Sequence, residues 1–278
     1  VACGSSAEPQ QTLTAATDAP LYKTNATVLE DATHGPMLCL GGVMAMDPPR
    51  WGTVPIADWD WDAVEGERVV RDSTYGQFFV VGRYDGETFT FVEAGPPQFF
   101  ETDGLEEGWS TKKPACDEPP GGWVVPARGR TTDEDAGELG AWAEGRPEYV
   151  AAWVTYLDPD VLEKVEAGEE GPFAVVFSLV VDRDAADVEA AVRERWDGPL
   201  CVVARDLPTA GVAAGIRREA EAAVEELGLV MVGSDSGEVG EAAQIWVVAD
   251  PGGAGQGAMD ERFGPGVIRL VPELVLVE

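Results

Sequence analysis

The sequence predicts an α+β protein: a small N-terminal β-sheet or barrel domain followed by a ferredoxin-like split βαβ sandwich with an internal repeat. Three observations carry this. Between residues 31 and 130, short apolar segments alternate with turn residues and no helical period develops. From residue 149 onward, strand-like apolar runs alternate with segments of helical spacing. Within that second region a pattern recurs. Val180-Val181-Asp182, a helix, Arg195-Trp196-Asp197-Gly198 and an apolar strand are followed later by Val248-Ala249-Asp250, a helix, Arg262-Phe263-Gly264 and another apolar strand. The predicted division is a tether over 1–30, a β domain over 31–130, a linker over 131–148 and an α+β domain over 149–278.

The elements follow in order. Residues 1–30, rich in Ala, Thr, Ser, Pro and Gln, lack an apolar period and read as a flexible tether. Met37 to Val43 is an apolar segment broken by Asp47-Pro48-Pro49-Arg50. Gln77 to Arg83 and Thr88 to Val92 flank Tyr84-Asp85-Gly86-Glu87, whose Asp-Gly pair signals a hairpin. A Pro/Gly-rich stretch over 114–136 forms the boundary connector. Tyr149 to Tyr156 alternates as a strand with Ala151, Trp153 and Thr155 on one face, and Phe173 to Val181 reads as a central strand. Val188, Val192 and Trp196 keep helical spacing up to Asp197-Gly198-Pro199, and Leu200 to Ala204 is the next strand. A longer helix opens near Pro208, presents Val212, Ile216, Ala220, Ala223 and Leu227 on one face, and stops at Gly228. Strands at Leu229 to Val232 and Ile245 to Val248, a helix with Met259 and Phe263, and a strand at Val267 to Val271 complete the chain.

The 278 residues contain 51 acidic and 19 basic side chains, a formal charge of −32. That surface excludes sequence-blind nucleic-acid binding and attraction to anionic head groups, because both need positive charge. No apolar run reaches the roughly 18 to 20 residues of a membrane helix. Near molar salt the screening length falls to about 3 Å. The excess of carboxylates therefore reads either as adaptation to a salty exterior or as an acidic secreted surface.

The sequence opens Val1-Ala2-Cys3-Gly4-Ser5-Ser6. A small residue before a cysteine, then Gly-Ser-Ser and a tether, resembles the end of a bacterial lipoprotein signal. The resemblance implies that Cys3 carries diacylglycerol on its sulfur and anchors the chain to a membrane; two or more acyl chains give stable attachment. Cys39, Cys116 and Cys201 remain, an odd number in an oxidising compartment. The first choice of disulfide joins Cys116 in the connector to Cys201 at the start of a strand, with Cys39 an open alternative partner.

Several constellations could carry chemistry. Asp58-Trp59-Asp60-Trp61-Asp62 alternates strictly; on a strand it places three carboxylates on one face, a candidate calcium site at Asp58, Asp60 and Asp62, and two indoles on the other. The indoles could form a sugar platform or fill the β-domain core. Gly253-Ala254-Gly255-Gln256-Gly257-Ala258 satisfies the dinucleotide fingerprint, with Glu273 near the offset for a ribose contact, although the equivalent loop at Arg183-Asp184-Ala185-Ala186 has no glycine. Ser234-Asp235-Ser236-Gly237 matches part of a serine-protease nucleophile segment, but His34, the single histidine, stands at the very start of the first domain, far from it in the chain. Among so many carboxylates no spacing singles out a hydrolase pair. No catalytic residue or resident cofactor other than calcium is assigned.

Taken together, Ala2-Cys3-Gly4-Ser5-Ser6, Leu38-Cys39-Leu40-Gly41 with Pro48-Pro49, Trp59-Asp60-Trp61, Tyr84-Asp85-Gly86-Glu87-Thr88-Phe89-Thr90, Cys116-Asp117-Glu118-Pro119-Pro120-Gly121-Gly122-Trp123 and Gly198-Pro199-Leu200-Cys201-Val202 resemble a group of actinobacterial cell-envelope lipoproteins. In that group a cysteine tends to follow the Pro-Pro pair. Trp51 stands there in this chain, which leaves Cys39 without its usual partner and strengthens the Cys116–Cys201 pairing. The last third is also similar to pro-segments of secreted bacterial serine proteases. The resemblance implies a lipid-anchored protein on the outer face of the plasma membrane. It names no reaction; the expected role is binding or interaction rather than catalysis, with the membrane met through the anchor, an envelope protein or glycan as possible partner, and nucleic acid excluded by the charge. The rival expectations are an extracytoplasmic enzyme, either a carboxylate hydrolase or a dinucleotide enzyme, and a protease-modulating module.

Overall fold

A computed structural model describes residues 20–41, 53–98, 112–169, 171–237 and 239–277. The protein is α+β, and two compact units divide it: residues 1–100 with 273–278, and residues 101–272.

The first unit is built on β1 (Leu21–Asp31), β2 (Met37–Cys39), β3 (Val54–Ala57), β4 (Arg68–Val70), β5 (Ser73–Tyr84), β6 (Phe89–Gly95) and β13 (Val275–Leu276). Strand β1 pairs with β5 over its whole length, and with β2 and β13 along its other edge. The pairings β1–β2–β3–β6–β5–β1 therefore close a ring in which only β3–β6 is parallel. Val28, Leu38, Val54, Phe78, Val80 and Phe89 fill its core, joined by Leu274 from the end of the chain. The β5–β6 hairpin turns as predicted, with Asp85 Oδ1 accepting the N–H groups of Glu87 and Thr88 at 2.9 and 2.8 Å.

Strand β1 corrects the expected tether, which extended to residue 30. Tyr22, Thr24, Ala26 and Val28 point inward, and the buried set includes two threonines and an alanine. Polar and small side chains hid the period of two, while the β-branched threonines still suit a pleated strand.

The second unit repeats one arrangement twice. Its first half runs α1 (Asp133–Glu144), β7 (Tyr149–Tyr156), a short α2 (Val161–Glu166), β8 (Val175–Val181), α3 (Ala185–Arg193) and β9 (Leu200–Ala204). Its second half runs α4 (Ala210–Glu226), β10 (Met231–Asp235), β11 (Ala243–Val247), α5 (Ala254–Phe263) and β12 (Ile268–Pro272). Each half forms its own sheet, β7-β8-β9 or β10-β11-β12, with the first pair antiparallel and the second parallel. The predicted strand–helix–strand echo is thus present, but as two three-stranded sheets rather than one ferredoxin-like sheet. The reason is that each copy brings a leading helix and an extra antiparallel strand, which complete its layer locally.

Residues 131–148, expected to be a linker, contain α1. Thr132 and Asp135 form a capping box, with Thr132 Oγ1 donating to Asp135 Oδ2 at 2.8 Å, and this bond holds the Asp135 carboxyl below its ordinary range. The buried face of α1 is Ala136, Leu139 and Ala143, too small and sparse to stand out among acidic neighbours. On α4 the inward face is Ala220, Ala223 and Val224, with Ala213 and Ile216 beside them; Val212 and Leu227 are exposed, contrary to expectation. Pairing α4 with α5 on one side of the sheet rotates its contact stripe toward the small residues.

In the first half, α1 and α3 cover one sheet face, and Trp196 closes that core. The opposite face carries Trp153, Ser178 and Cys201, and chain 112–116 crosses it. Lys113 O accepts from Trp153 Nε1 at 2.9 Å, Lys112 O accepts from Thr155 Oγ1 at 2.8 Å, and Ala115 N–H donates to Ser178 Oγ at 3.1 Å. Cys116 and Cys201 form a disulfide there across 85 residues, and Cys39 is free and buried.

Candidate binding groove

Within the second unit, a groove of about 390 Å³ lies where the two halves meet. One wall is the outer edge of β7, from Tyr149 through Trp153, with Lys112 beside it. The other is the start of α4, notably Ala213 and Arg217, together with Leu207, Pro208 and the loop leading into β11. The volume falls in the range of small-ligand and peptide sites. Alanines on α4 keep that wall low. Gly237 is required in the loop, since its φ is +33° and a Cβ there would approach Glu241 Cβ to 2.7 Å.

The groove presents backbone as well as side chains. Phe177 N–H donates to Pro199 O at 3.0 Å, so alternate residues of β8 face β9. Val176, Ser178 and Val180 consequently face β7, opposite Thr155, Trp153 and Ala151. The backbone groups of Ala152 and Val154 are left pointing away from the sheet. Burial and the nearby Glu144 charge raise the Tyr149 phenol above its ordinary range.

The charges are mixed. The Lys112 ammonium lies 4.7 Å from the Trp153 ring centre, and Arg217 Nε is 3.8 Å from Glu221 Oε1. Glu241 accepts from Gln244 Nε2 at 3.2 Å and pairs with Arg269 at 3.6 Å. Two cations against Glu144 and Glu241 make the groove nearly balanced on a chain of charge −32.

The other predicted positions fall elsewhere. Cys3 and the Pro48-Pro49-Arg50-Trp51 stretch lie outside the described residues. Asp58 to Asp62 is not a strand: Asp58 has φ +62°, and Trp61–Ala63 is a 3₁₀ turn capped by Asp60, whose Oδ1 accepts Asp62 N–H at 3.0 Å. That turn removes the alternation which would have aligned Asp58, Asp60 and Asp62, and all three are exposed. Among the described residues, no group of three or more His, Cys, Asp or Glu is placed to hold a metal ion. The indoles turn inward, with Trp59 packed edge-on against Trp61, Phe78 and Phe91 at 5.0–5.4 Å, and Trp61 Nε1 donates to Glu30.

The glycine fingerprint does open a helix after a strand. There, however, the Asp250 carboxylate accepts Gly255 N–H at 2.7 Å and Gln256 N–H at 2.9 Å. Those are the amides a pyrophosphate would take, and the protein's own anion holds them. Gly255 is required by packing, since a Cβ would meet Leu229 at 2.7 Å and Asp250 at 2.9 Å. Replacing Asp250 with alanine removes the cap of α5 and is expected to cost about 1 kcal/mol in urea denaturation. An unchanged midpoint would show that the helix does not depend on this carboxylate.

His34 is exposed and bonded to its neighbours Thr33 and Asp31, and the bonds that Asp31 accepts from both hold its carboxyl far below the usual range. Ser234 Oγ donates to Glu221 at 2.6 Å. The imidazole belongs to the first unit and the serine to the second.

Sequence reasoning read Tyr149–Tyr156 as a strand but not as an edge, and so missed the groove. No local signal marked the edge, since both faces of Tyr149–Tyr156 carry apolar residues and the half-burial of every β7 residue is visible only in the structure. No family model, curated protein or solved structure matches this chain.

Proposed function

We propose that this chain is a lipid-anchored, extracytoplasmic binding module, held to the outer side of a membrane through Cys3 and presenting the groove between β7 and α4 to an envelope partner. The observation that carries the reading is the Cys116–Cys201 disulfide, which ties the connector to β9 across 85 residues. Such a bond persists in an oxidising exterior and is uncommon in reducing cytoplasm. The acidic surface agrees with a partner that is neither nucleic acid nor anionic head group. Binding is favoured over chemistry because the groove offers a strand edge and locally paired charges.

Intact-mass analysis and detergent-phase partitioning of the native protein test the anchor. The expected result is a diacylglyceryl mass on Cys3 and partition into detergent. A bare Cys3 thiol on a protein that stays in the aqueous phase overturns the anchored reading.

A further inference from the structure

The connector between Cys116 and Arg130 is exposed in a way the fold does not require. Thirteen residues, 117 to 129, leave one anchor and return to another. The first anchor is the Cys116–Cys201 disulfide. The second is Arg130, whose carbonyl accepts Asp197 N–H at 3.0 Å and Gly198 N–H at 3.2 Å, and whose own N–H donates to Asp197 Oδ2 at 2.9 Å. Both anchors sit on residues 197–201, a span of no more than about 14 Å, whereas the connecting chain can reach roughly 45 Å. The surplus stands away from the body: apart from Gly122 and Trp123, every residue from 117 to 129 is exposed.

The chain turns at Gly121 and Gly122, with φ +99° and +86°, and then runs through residues 122–126 with neither turn nor bend. Trp123-Val124-Val125-Pro126 is thus a short extended segment. Val124, 76% exposed, is the most exposed large apolar side chain among the described residues, and Val125 beside it is 38% exposed. Among the described residues, none bonds to the main chain of Trp123, Val124 or Val125. Pro119, Pro120 and Pro126 restrict the loop before any partner arrives. A convex, extended chain with free N–H and C=O groups and aliphatic side chains fits a concave cleft that binds strands.

We propose that residues 122–126 enter the substrate cleft of a serine protease with a small apolar specificity pocket, place Val124 in that pocket, and inhibit the enzyme. Such a cleft holds an extended chain by its main chain and reads the side chain before the cut; a small pocket suits valine. Val124 takes this place rather than Val125, because it is the more exposed and because the Val125 carbonyl is joined to the ring nitrogen of Pro126. The protease serine oxygen attacks the Val124 carbonyl carbon, the Val124–Val125 C–N bond breaks, and the Val125 nitrogen leaves with the proton carried by the protease histidine. From an ordinary substrate that amine diffuses away. Here the amine side is held through Arg130 and the acyl side through Cys116, both on residues 197–201. The amine therefore stays beside the acyl carbon and re-forms the bond, giving its proton back to the histidine as the serine is released. The proposal goes beyond the groove reading and does not depend on it, since residues 117–130 do not line the groove.

The test titrates the full chain into an elastase, with trypsin as the comparison, and follows hydrolysis of a small chromogenic peptide. The expected result is competitive inhibition of the elastase, at least tenfold weaker against trypsin. Val124→Asp is expected to weaken inhibition at least a hundredfold, and Val69→Asp, on β4 at 71% exposure, to leave it unchanged. Both side chains are exposed, so neither change threatens folding. Mass spectrometry of the inhibited mixture should show one cut, between Val124 and Val125, in a minor fraction of the chain. Its two fragments should separate only after reduction, because Cys116–Cys201 joins them. Four results overturn the proposal: an elastase left active by the native chain, inhibition unchanged by Val124→Asp, equal inhibition of trypsin, or complete cleavage at Val124. Acylation plays no part in this measurement, so a bare Cys3 removes the anchor and leaves the protease result standing, and the converse also holds.

Discussion

Replacing Cys116 and Cys201 together by alanine is expected to lower stability by about 4.5 kcal/mol, the entropy of an 85-residue closed loop released to the unfolded chain. The effect is large because the staple joins a connector with few contacts to a strand in the core. Cys201 is buried at 1% exposure on β9, while around Cys116 the connector is held by side-chain bonds such as Ala115 N–H to Ser178 Oγ. Without the bond, that layer over Trp153 and Ser178 depends on a few hydrogen bonds, each contributing about 1 kcal/mol. Urea denaturation of the double variant, and of the native protein in reductant, should show the same lowered midpoint. Equal midpoints for oxidised and reduced native protein would mean that the unfolded chain gains nothing from the missing link.

Trp196→Ala is expected to cost about 3–5 kcal/mol, while Phe263→Ala costs well under half as much. The two aromatics hold matching places in the repeat, between the helix and the last strand of each half: Phe263 ends α5, and Trp196 follows the end of α3 at Arg193. Their surroundings differ. Trp196 is 1% exposed, packs 5.9 Å from Phe177 and donates its indole N–H to Pro199 O at 2.8 Å, so its removal leaves a large cavity and one fewer hydrogen bond on that carbonyl. Phe263 is only half-buried against the second core. Equal losses in the two variants would show that the repeat equalises their roles despite the difference in burial.

These contrasts show what local sequence does and does not encode. The Asp85-Gly86 hairpin, the stop at Asp197-Gly198-Pro199 and the two βαβ echoes were legible because turn chemistry and apolar period act over a few residues. The Cys116–Cys201 pair was the first choice because one cysteine lies in the connector and the other at the start of a strand, although the sequence left Cys39 open as a partner. Strand β1 was not, because Thr24 and Thr27 are buried as β-branched fillers while reading as polar tether. The run Asp58 to Asp62 misled for the opposite reason. Strict alternation suggests a strand, but a positive φ at Asp58 and the Asp60 cap turn the chain immediately. For the groove, the sequence supplied β7 and α4 but not their adjacency.

By itself, then, the sequence determined the acidic surface, the α+β class, the internal echo and the residues from which a disulfide could form. Each follows from composition or from interactions between near neighbours. Only the tertiary structure decided that β1 closes the ring with β5, that Val275–Leu276 returns to pair with β1, and that β7 is the outer strand of its three-stranded sheet beside α4. Backbone hydrogen bonds between strands use the same N–H and C=O groups at every residue. Which strands meet, and which strand stands outermost in its sheet, is therefore fixed by packing of the whole unit and leaves no mark in any local stretch of side chains.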